Sequence, residues 1–350
     1  MIRCLASLLA SVALVGCTDP PRQDPPWITA TSADETGTDD TDDTDDTDAT
    51  TSSSTISTVS TTTPSETTDD TETTATTDAD CTPPDPSPAW HAEHLDDIVA
   101  SMSGLAQLGG TTLPDRATPQ RRALVAQWLL DQYAALGIDA APHDYGTGTN
   151  IIATIPATGA SAGTYVLGAH YDTVPGSPGA NDNATGVALV TAAARYLSEL
   201  PCRSHDVLIV AFDEEEIGLV GSAAYADLLV AEGVPVVAVH TVDQMGWDAD
   251  GDRIIELERP DAGLVGFYED VLPLVPEISG LTTTDTGSTD HVSFRDAGFD
   301  AIGLTEEYAS GDSTPHYHLP SDTYDTVDFV YLRAASTLVN RAFANAIAGE

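Results

Sequence analysis

An α/β fold with a mostly parallel central sheet, covered by helices on both faces, is the class this sequence predicts. Apolar runs of strand length, Val207-Leu208-Ile209-Val210-Ala211-Phe212 above all, alternate with helical patterns through residues 81–350. Such strands are apolar on both faces, which suits a parallel sheet held between helix layers rather than a half-solvated antiparallel one. The 270 residues from 81 to 350 are enough for one α/β domain, and no internal repeat divides them.

The elements follow in order. Amphipathic patterns predict helices over 91–108 and 119–136, the second opened by Thr118-Pro119 and closed by Gly137. Strands 150–155 and 164–169 precede a helix over 184–199, introduced by a loop rich in glycine and proline. Strand 206–212, helix 220–231 and strand 236–242 continue the alternation. A strand near 253–258, a helix near 261–272, a short strand over 300–305 and a closing helix from Val327 to Ala348 complete it.

Upstream of this domain the chain changes character twice. Residues 1–16 combine Arg3, a short apolar core and small residues before a cut, as an export signal does. Leu14-Val15-Gly16-Cys17 resembles the bacterial lipobox, which implies acylation of Cys17 and a bacterial cell-envelope location, lipid-anchored on the outer membrane or cell surface. The apolar run from Leu5 to Gly16 is shorter than the roughly 20 residues that a spanning helix needs, so any membrane attachment is expected through the lipid alone. Residues 17–80 are Thr, Ser, Asp and Pro with almost nothing apolar, and 18–80 hold 17 acidic residues against the single Arg22. Such a segment cannot offset its ordering entropy and is expected to be a disordered tether.

The whole chain carries a formal charge of −44, and its 12 cationic residues are all arginine. No basic stripe exists to neutralise phosphates, so nucleic-acid binding is excluded as a function class. Four cysteines remain to be placed: Cys4 leaves with the signal, Cys17 is the lipid candidate, and Cys81 and Cys202 either stay free or pair in an oxidising compartment. Pairing is the expectation.

Ligands in an open parallel sheet gather beyond the carboxyl ends of the strands. Strand 164–169 delivers His170-Tyr171-Asp172, strand 206–212 delivers Asp213-Glu214-Glu215-Glu216, and strand 236–242 delivers Asp243. Between them the Pro175–Asn183 loop brings Asp182 to the start of a helix, where an acid can also serve as a cap. One histidine with several carboxylates at a single edge repel one another unless neutralised, and the sequence offers no lysine and no nearby arginine there. Divalent metal answers that need. Imidazole with carboxylates suits zinc, and more carboxylates than one ion requires suggests two ions sharing a bridging group.

Six blocks then resemble the di-zinc aminopeptidase family that includes aminopeptidase Y, secreted bacterial leucyl aminopeptidases, glutamate carboxypeptidase and glutaminyl cyclases. They are Gly168–Val174, Gly179–Val187, Glu215–Ser222, Val242–Gly246, Ser288–Phe294 and Tyr317–Thr323, in the family's order. The resemblance implies a single zinc-exopeptidase-like domain over 81–350 that removes N-terminal residues from peptides or proteins. It implies that Asp182 bridges two divalent ions, most readily Zn2+, that His170 and Asp243 complete one site, and that Glu216 and His318 complete the other. Glu215 takes the place of the general base, Asp172 of a residue orienting His170, and Asp290 and His291 of a buried support. Glu214 is left as an extra acid. One departure stands out: residues 281–289 hold no tyrosine for the oxyanion, so Tyr317, Tyr308 or His316 would have to substitute.

Two rival activities remain, a one-zinc glutaminyl cyclase on the same fold and a serine hydrolase using Ser161, together with a non-enzymatic cation-binding adhesin. Gly159-Ala160-Ser161-Ala162-Gly163 matches a nucleophile elbow, but a strand follows where that elbow needs a helix. Asp248–Asp252 imitates a calcium loop and reads better as a β-turn. His91 and His94 lack the His-Glu-x-x-His pattern and are expected on an exposed helix face. A monomer is expected.

Overall fold

A computed structural model describes residues 80–348. The expected signal at 1–16, the acylation site Cys17 and all but the last residue of the expected tether lie outside the described residues.

Within them, one sheet contains β1 (Asp139–Asp144), β2 (Thr149–Ile155), β3 (Thr164–His170), β4 (Asp206–Phe212), β5 (Val236–Val242), β6 (Ile254–Glu258), β7 (Gly280–Thr284) and β8 (Ala301–Thr305). Their spatial order is β1-β2-β4-β3-β5-β8-β6-β7. The centre β4-β3-β5-β8 is parallel, as is β6 with β7. The pairings β1–β2, β2–β4 and β6–β8 are antiparallel. The helices are α1 (His91–Met102), α2 (Pro119–Ala135), α3 (Gly186–Ser198), α4 (Val220–Glu232), α5 (Leu264–Glu269), α6 (His291–Asp296) and α7 (Phe329–Ile347).

Alternation along β4 shows how the sheet is covered. Val207, Ile209 and Ala211 join the larger core with Leu129 of α2, Val187 and Val190 of α3 and Leu338 of α7. Val210 and Phe212 face the other way and pack with Tyr225 and Leu229 of α4 and Phe294 of α6. Each large side chain buried in this way contributes about 1.5–3 kcal/mol. The predicted α/β layering is therefore the observed one, with antiparallel strands at both margins.

Several boundaries differ from expectation for local reasons. α1 stops at Met102 rather than 108 because Gly104, at φ +76°, turns the chain back against the carbonyl of Leu113, where a side chain would collide. The expected helix over 261–272 shortens to α5 and a separate turn at Leu272–Leu274 that contains Pro273. β1, β7 and α6 have no counterpart among the expected elements. β1 is an exposed edge strand that contains Pro142, and α6 is only 6 residues long.

His91 and His94 are not on an exposed face. His91 is buried with Nε2 2.8 Å from Ser336 Oγ of α7, and His94 packs edge-on to Trp90. Burial pushes both imidazoles down to about 4. Cys81 and Cys202 are joined with Cα atoms 5.2 Å apart, tying the start of the domain to the loop before β4 across 121 residues of sequence.

Candidate metal centre

The parallel strands finish on one edge, and their last residues build the site. β3 ends in His170, which pairs in register with Phe212, the last residue of β4. β4 runs into Asp213–Glu216 and β5 into Asp243. Asp182 arrives from the turn Ala180–Thr185, whose backbone leaves helical geometry at Asp182 (φ −103°, ψ 93°) and Asn183. α3 starts only at Gly186, so Asp182 does not act as its cap. Its carboxylate is free to face the strand ends.

Those carboxylate oxygens divide between two imidazoles. Asp182 Oδ1 lies 3.3 Å from His170 Nε2, and Oδ2 lies 3.2 Å from His318 Nε2. Asp243 Oδ1 is 3.2 Å from His170 Nε2, and Glu216 Oε2 is 3.0 Å from His318 Nε2. Two donor triads result, His170–Asp182–Asp243 and Asp182–Glu216–His318, with Asp182 common to both. Glu215 stands beside them, close to both His170 and Glu216. The structure thus brings together all six residues named for the ligand and base roles.

The surrounding groups fix this arrangement. Asp172 Oδ1 and Oδ2 accept the backbone N–H groups of Glu215 (3.1 Å) and Glu216 (3.2 Å), while Oδ1 lies 3.4 Å from His170 Nδ1. Asp322 accepts from the N–H groups of Asn181 (2.8 Å) and Asp182 (3.0 Å). The glutamate run is held in register by backbone bonds from Leu219, Val220 and Gly221 to the carbonyls of Glu215, Glu214 and Asp213. Glu214 is therefore not a spare acid at the site: it bonds Arg122 Nη2 and Thr147 Oγ1, each at 2.7 Å. Asp290 and His291 are buried at the start of α6 and belong to neither triad. Asp290 is pushed up to about 7 by burial, and His291 is pushed down to about 3 by the same cause.

Charges in the cluster perturb one another strongly. Burial alone would lower His170, but Asp243 and Glu215 override it and hold the imidazole well above its ordinary range. Hydrogen bonds that His318 donates to Asp182 and Glu216 raise it to about 10. Burial raises Glu215 far above the usual carboxylate range and raises Glu216 as well, and Glu216 Oε1 is buried with no hydrogen-bond partner. The carboxylates thus draw positive charge toward both imidazoles. The same donors, two imidazoles and three carboxylates with Asp182 common to both triads, have the chemistry to take divalent cations.

The expectation that no arginine lies nearby is overturned. Arg116 is fully buried behind the Asp182 turn, where it donates to the carbonyls of Tyr171 (2.6 Å), Pro178 (2.7 Å), Met102 (2.8 Å) and Gly179 (3.0 Å). Burial lowers it to about 10, against the pull of Asp322, Asp182, Asp172 and Glu216. Among the described residues its guanidinium bonds to no carboxylate, so it offsets the acid field without replacing a counter-ion at the triads. Sequence reading also passed over Glu306, although it follows β8 and the strand-end rule points to it. Glu306 accepts from Asn181 Nδ2 and from the N–H groups of Gly246 and Trp247, fixing the loops on either side of the site.

Of the three candidate oxyanion donors, Tyr317 stacks on His318 with ring centroids 3.8 Å apart, and Tyr308 packs against Tyr317 at 5.7 Å. His316 bonds Ser321 Oγ and packs on Trp247 instead. Ser161 sits ahead of β3, at the opposite end of that strand from His170, where its Oγ bonds Gly163 O and Asp206 N. It cannot join the site.

Comparison with known proteins adds three findings. The sequence signature of Peptidase family M28 matches residues 150–342, more than half of the chain. Aminopeptidase YwaD of Bacillus subtilis is 32% identical over 197 residues, which cover 52% of this chain and 41% of that protein. The probable lipoprotein aminopeptidase LpqL of Mycobacterium tuberculosis is 30% identical over 208 residues, covering 51% and 41%. The chain thus spans about two fifths of the length of these curated relatives. The crystal structure of BSAP, a zinc aminopeptidase from Bacillus subtilis, superposes with a TM-score of 0.64 over 73% of this chain and 95% of that one. At 17% identity it speaks for the fold alone.

Proposed function

The chain belongs to peptidase family M28, and from that membership we propose that it is a metal-dependent aminopeptidase acting on peptide or protein N-termini. The observation that carries this reading is the bridging geometry of Asp182, with one oxygen toward each histidine. His170, Asp182 and Asp243 would hold one divalent ion, and Asp182, Glu216 and His318 a second. Zinc suits this donor set. Bound there, the ions would polarise the scissile carbonyl and make a water acidic enough to give up its proton. A glutaminyl cyclase with one zinc would leave one of the two triads without a purpose.

The chain's own residues do the rest. Glu215 accepts the proton of the attacking water at its carboxylate and passes it to the nitrogen of the leaving amine. Asp172 holds the Glu215 and Glu216 backbone so that base and ligand keep adjacent positions. Tyr317, stacked on His318, is the residue to which this reading assigns the developing oxyanion. Carboxylates beyond those needed for the ions receive the substrate's α-ammonium, which restricts cleavage to the first residue.

The lipobox-like Leu14–Cys17 and the relative named as a probable lipoprotein support a lipid-anchored protein of the bacterial cell envelope. Among the described residues no helix is long and apolar enough to cross a membrane. The test of activity uses residues 81–350 with free and N-acetylated aminoacyl p-nitroanilides. Cleavage of the free forms alone, lost on chelation and restored by zinc, is expected. Equal cleavage of the blocked forms, or indifference to chelation, would contradict the proposal.

A further inference from the structure

Beside Asp243 the site opens into a recess of about 20 Å3, lined in part by Glu258, Ser288, Thr289, Tyr308 and Tyr317. That is room for the small polar end of a side chain. Glu258 ends β6 and is only 4% exposed. Thr286 Oγ1 donates to its Oε1 at 3.3 Å, and Oε2 accepts no hydrogen bond among the described residues. Burial, with Asp243 and Glu256 nearby, pushes Glu258 up to about 8, so a cation beside it is what brings it to its charged form.

Among the described residues no cation reaches it. Arg259, next in sequence, lines a separate cavity with Arg295. His291 approaches the same side of Gly303 as Glu258 does, but burial pushes its imidazole down to about 3. The other charged groups facing Glu258 are the acids Asp243 and Glu256. The mouth of the recess is held in place as well, because Glu256 accepts from the N–H groups of Ala309 and Ser310, each at 3.0 Å, fixing the loop that carries Tyr308.

We propose that this recess receives the side chain of the substrate's first residue and that Glu258 selects one ending in a cation, with lysine the simplest case. The aliphatic stem lies along Tyr308 and Tyr317, whose rings also favour a cation. The inference deepens the aminopeptidase reading and rests on it for the direction of the substrate.

Lysyl and norleucyl p-nitroanilide test it with the zinc-loaded protein, because the two first residues differ only by the terminal amine. Calorimetric titration with lysinamide and norleucinamide supplies a readout that needs no turnover. The lysyl forms should win by about tenfold or more in both measurements, as expected for a charge-assisted hydrogen bond in a desolvated site. Glu258→Gln should bring both ratios close to one. Norleucyl equal to lysyl in the unaltered protein would overturn the proposal. So would Glu258→Gln lowering both substrates alike, which would put the α-ammonium in the recess instead. If neither substrate turns over while lysinamide still binds in a Glu258-dependent way, the aminopeptidase reading fails and the recess assignment stands.

Discussion

Arg116 places a buried guanidinium behind the acid cluster and spends its donors on four backbone carbonyls rather than on carboxylates. Two of those carbonyls, of Pro178 and Gly179, belong to the loop that presents Asp182, so the arginine shapes the turn as well as offsetting its charge. Arg116→Met would leave the Tyr171, Pro178 and Met102 carbonyls without this donor at about 1–3 kcal/mol each, while Gly179 keeps the N–H of Ala184. We expect a stability loss of roughly 4 kcal/mol or more in urea unfolding, with a smaller loss for Arg116→Lys. An unchanged midpoint would contradict this role. Nothing in the sequence marked Arg116, because it lies in a loop before α2 and meets the site only through the fold. The convergence of His170, Asp182, Glu215, Glu216 and Asp243 was legible because strand ends follow from apolar runs that sequence displays. Asp322 stood inside a recognisable block, yet an aspartate that accepts two backbone N–H groups looks no different in sequence from one exposed to water.

α1 and α7 meet through His91 and Ser336, a contact joining residues 245 apart in sequence. His91 titrates at about 4 in the fold against 6.5 in an open chain, so the native state binds fewer protons than the unfolded state between those values. The stability this residue contributes is complete above pH 6.5 and is lost as pH falls toward 4. His91→Gln, which can still bond Ser336, should show a shallower fall of Tm from pH 6.5 to 4 than the unaltered protein. Parallel profiles would show that His91 is not held neutral. The long buried elements α2, α3, α7 and β2–β5 were readable because one or both faces are continuously apolar. β1 and β7 were not, since margin strands bury little and carry Thr, Asp and Pro instead of an apolar run. The inward turn of His91 escaped for a related reason: a polar residue on α1 declares its buried partner only once α7 packs against it.

The chain as a whole combines a folded acidic domain of peptidase family M28 with an upstream segment whose composition favours solvent. If Cys17 carries the anchor, Cys17→Ser should release the protein from membranes, because no described helix offers another attachment. Unchanged fractionation would contradict that anchor. Metal content and kcat measured together in Glu215→Gln and Glu216→Gln separate the proton-accepting glutamate from the metal-holding one. Glu215→Gln should keep close to the unaltered metal content while kcat falls by about 10²–10⁴-fold, the usual cost of losing a general base. Glu216→Gln should lose part of its metal, and added zinc should restore part of its activity. Metal lost at Glu215 and kept at Glu216, or full activity in both variants, would contradict the account.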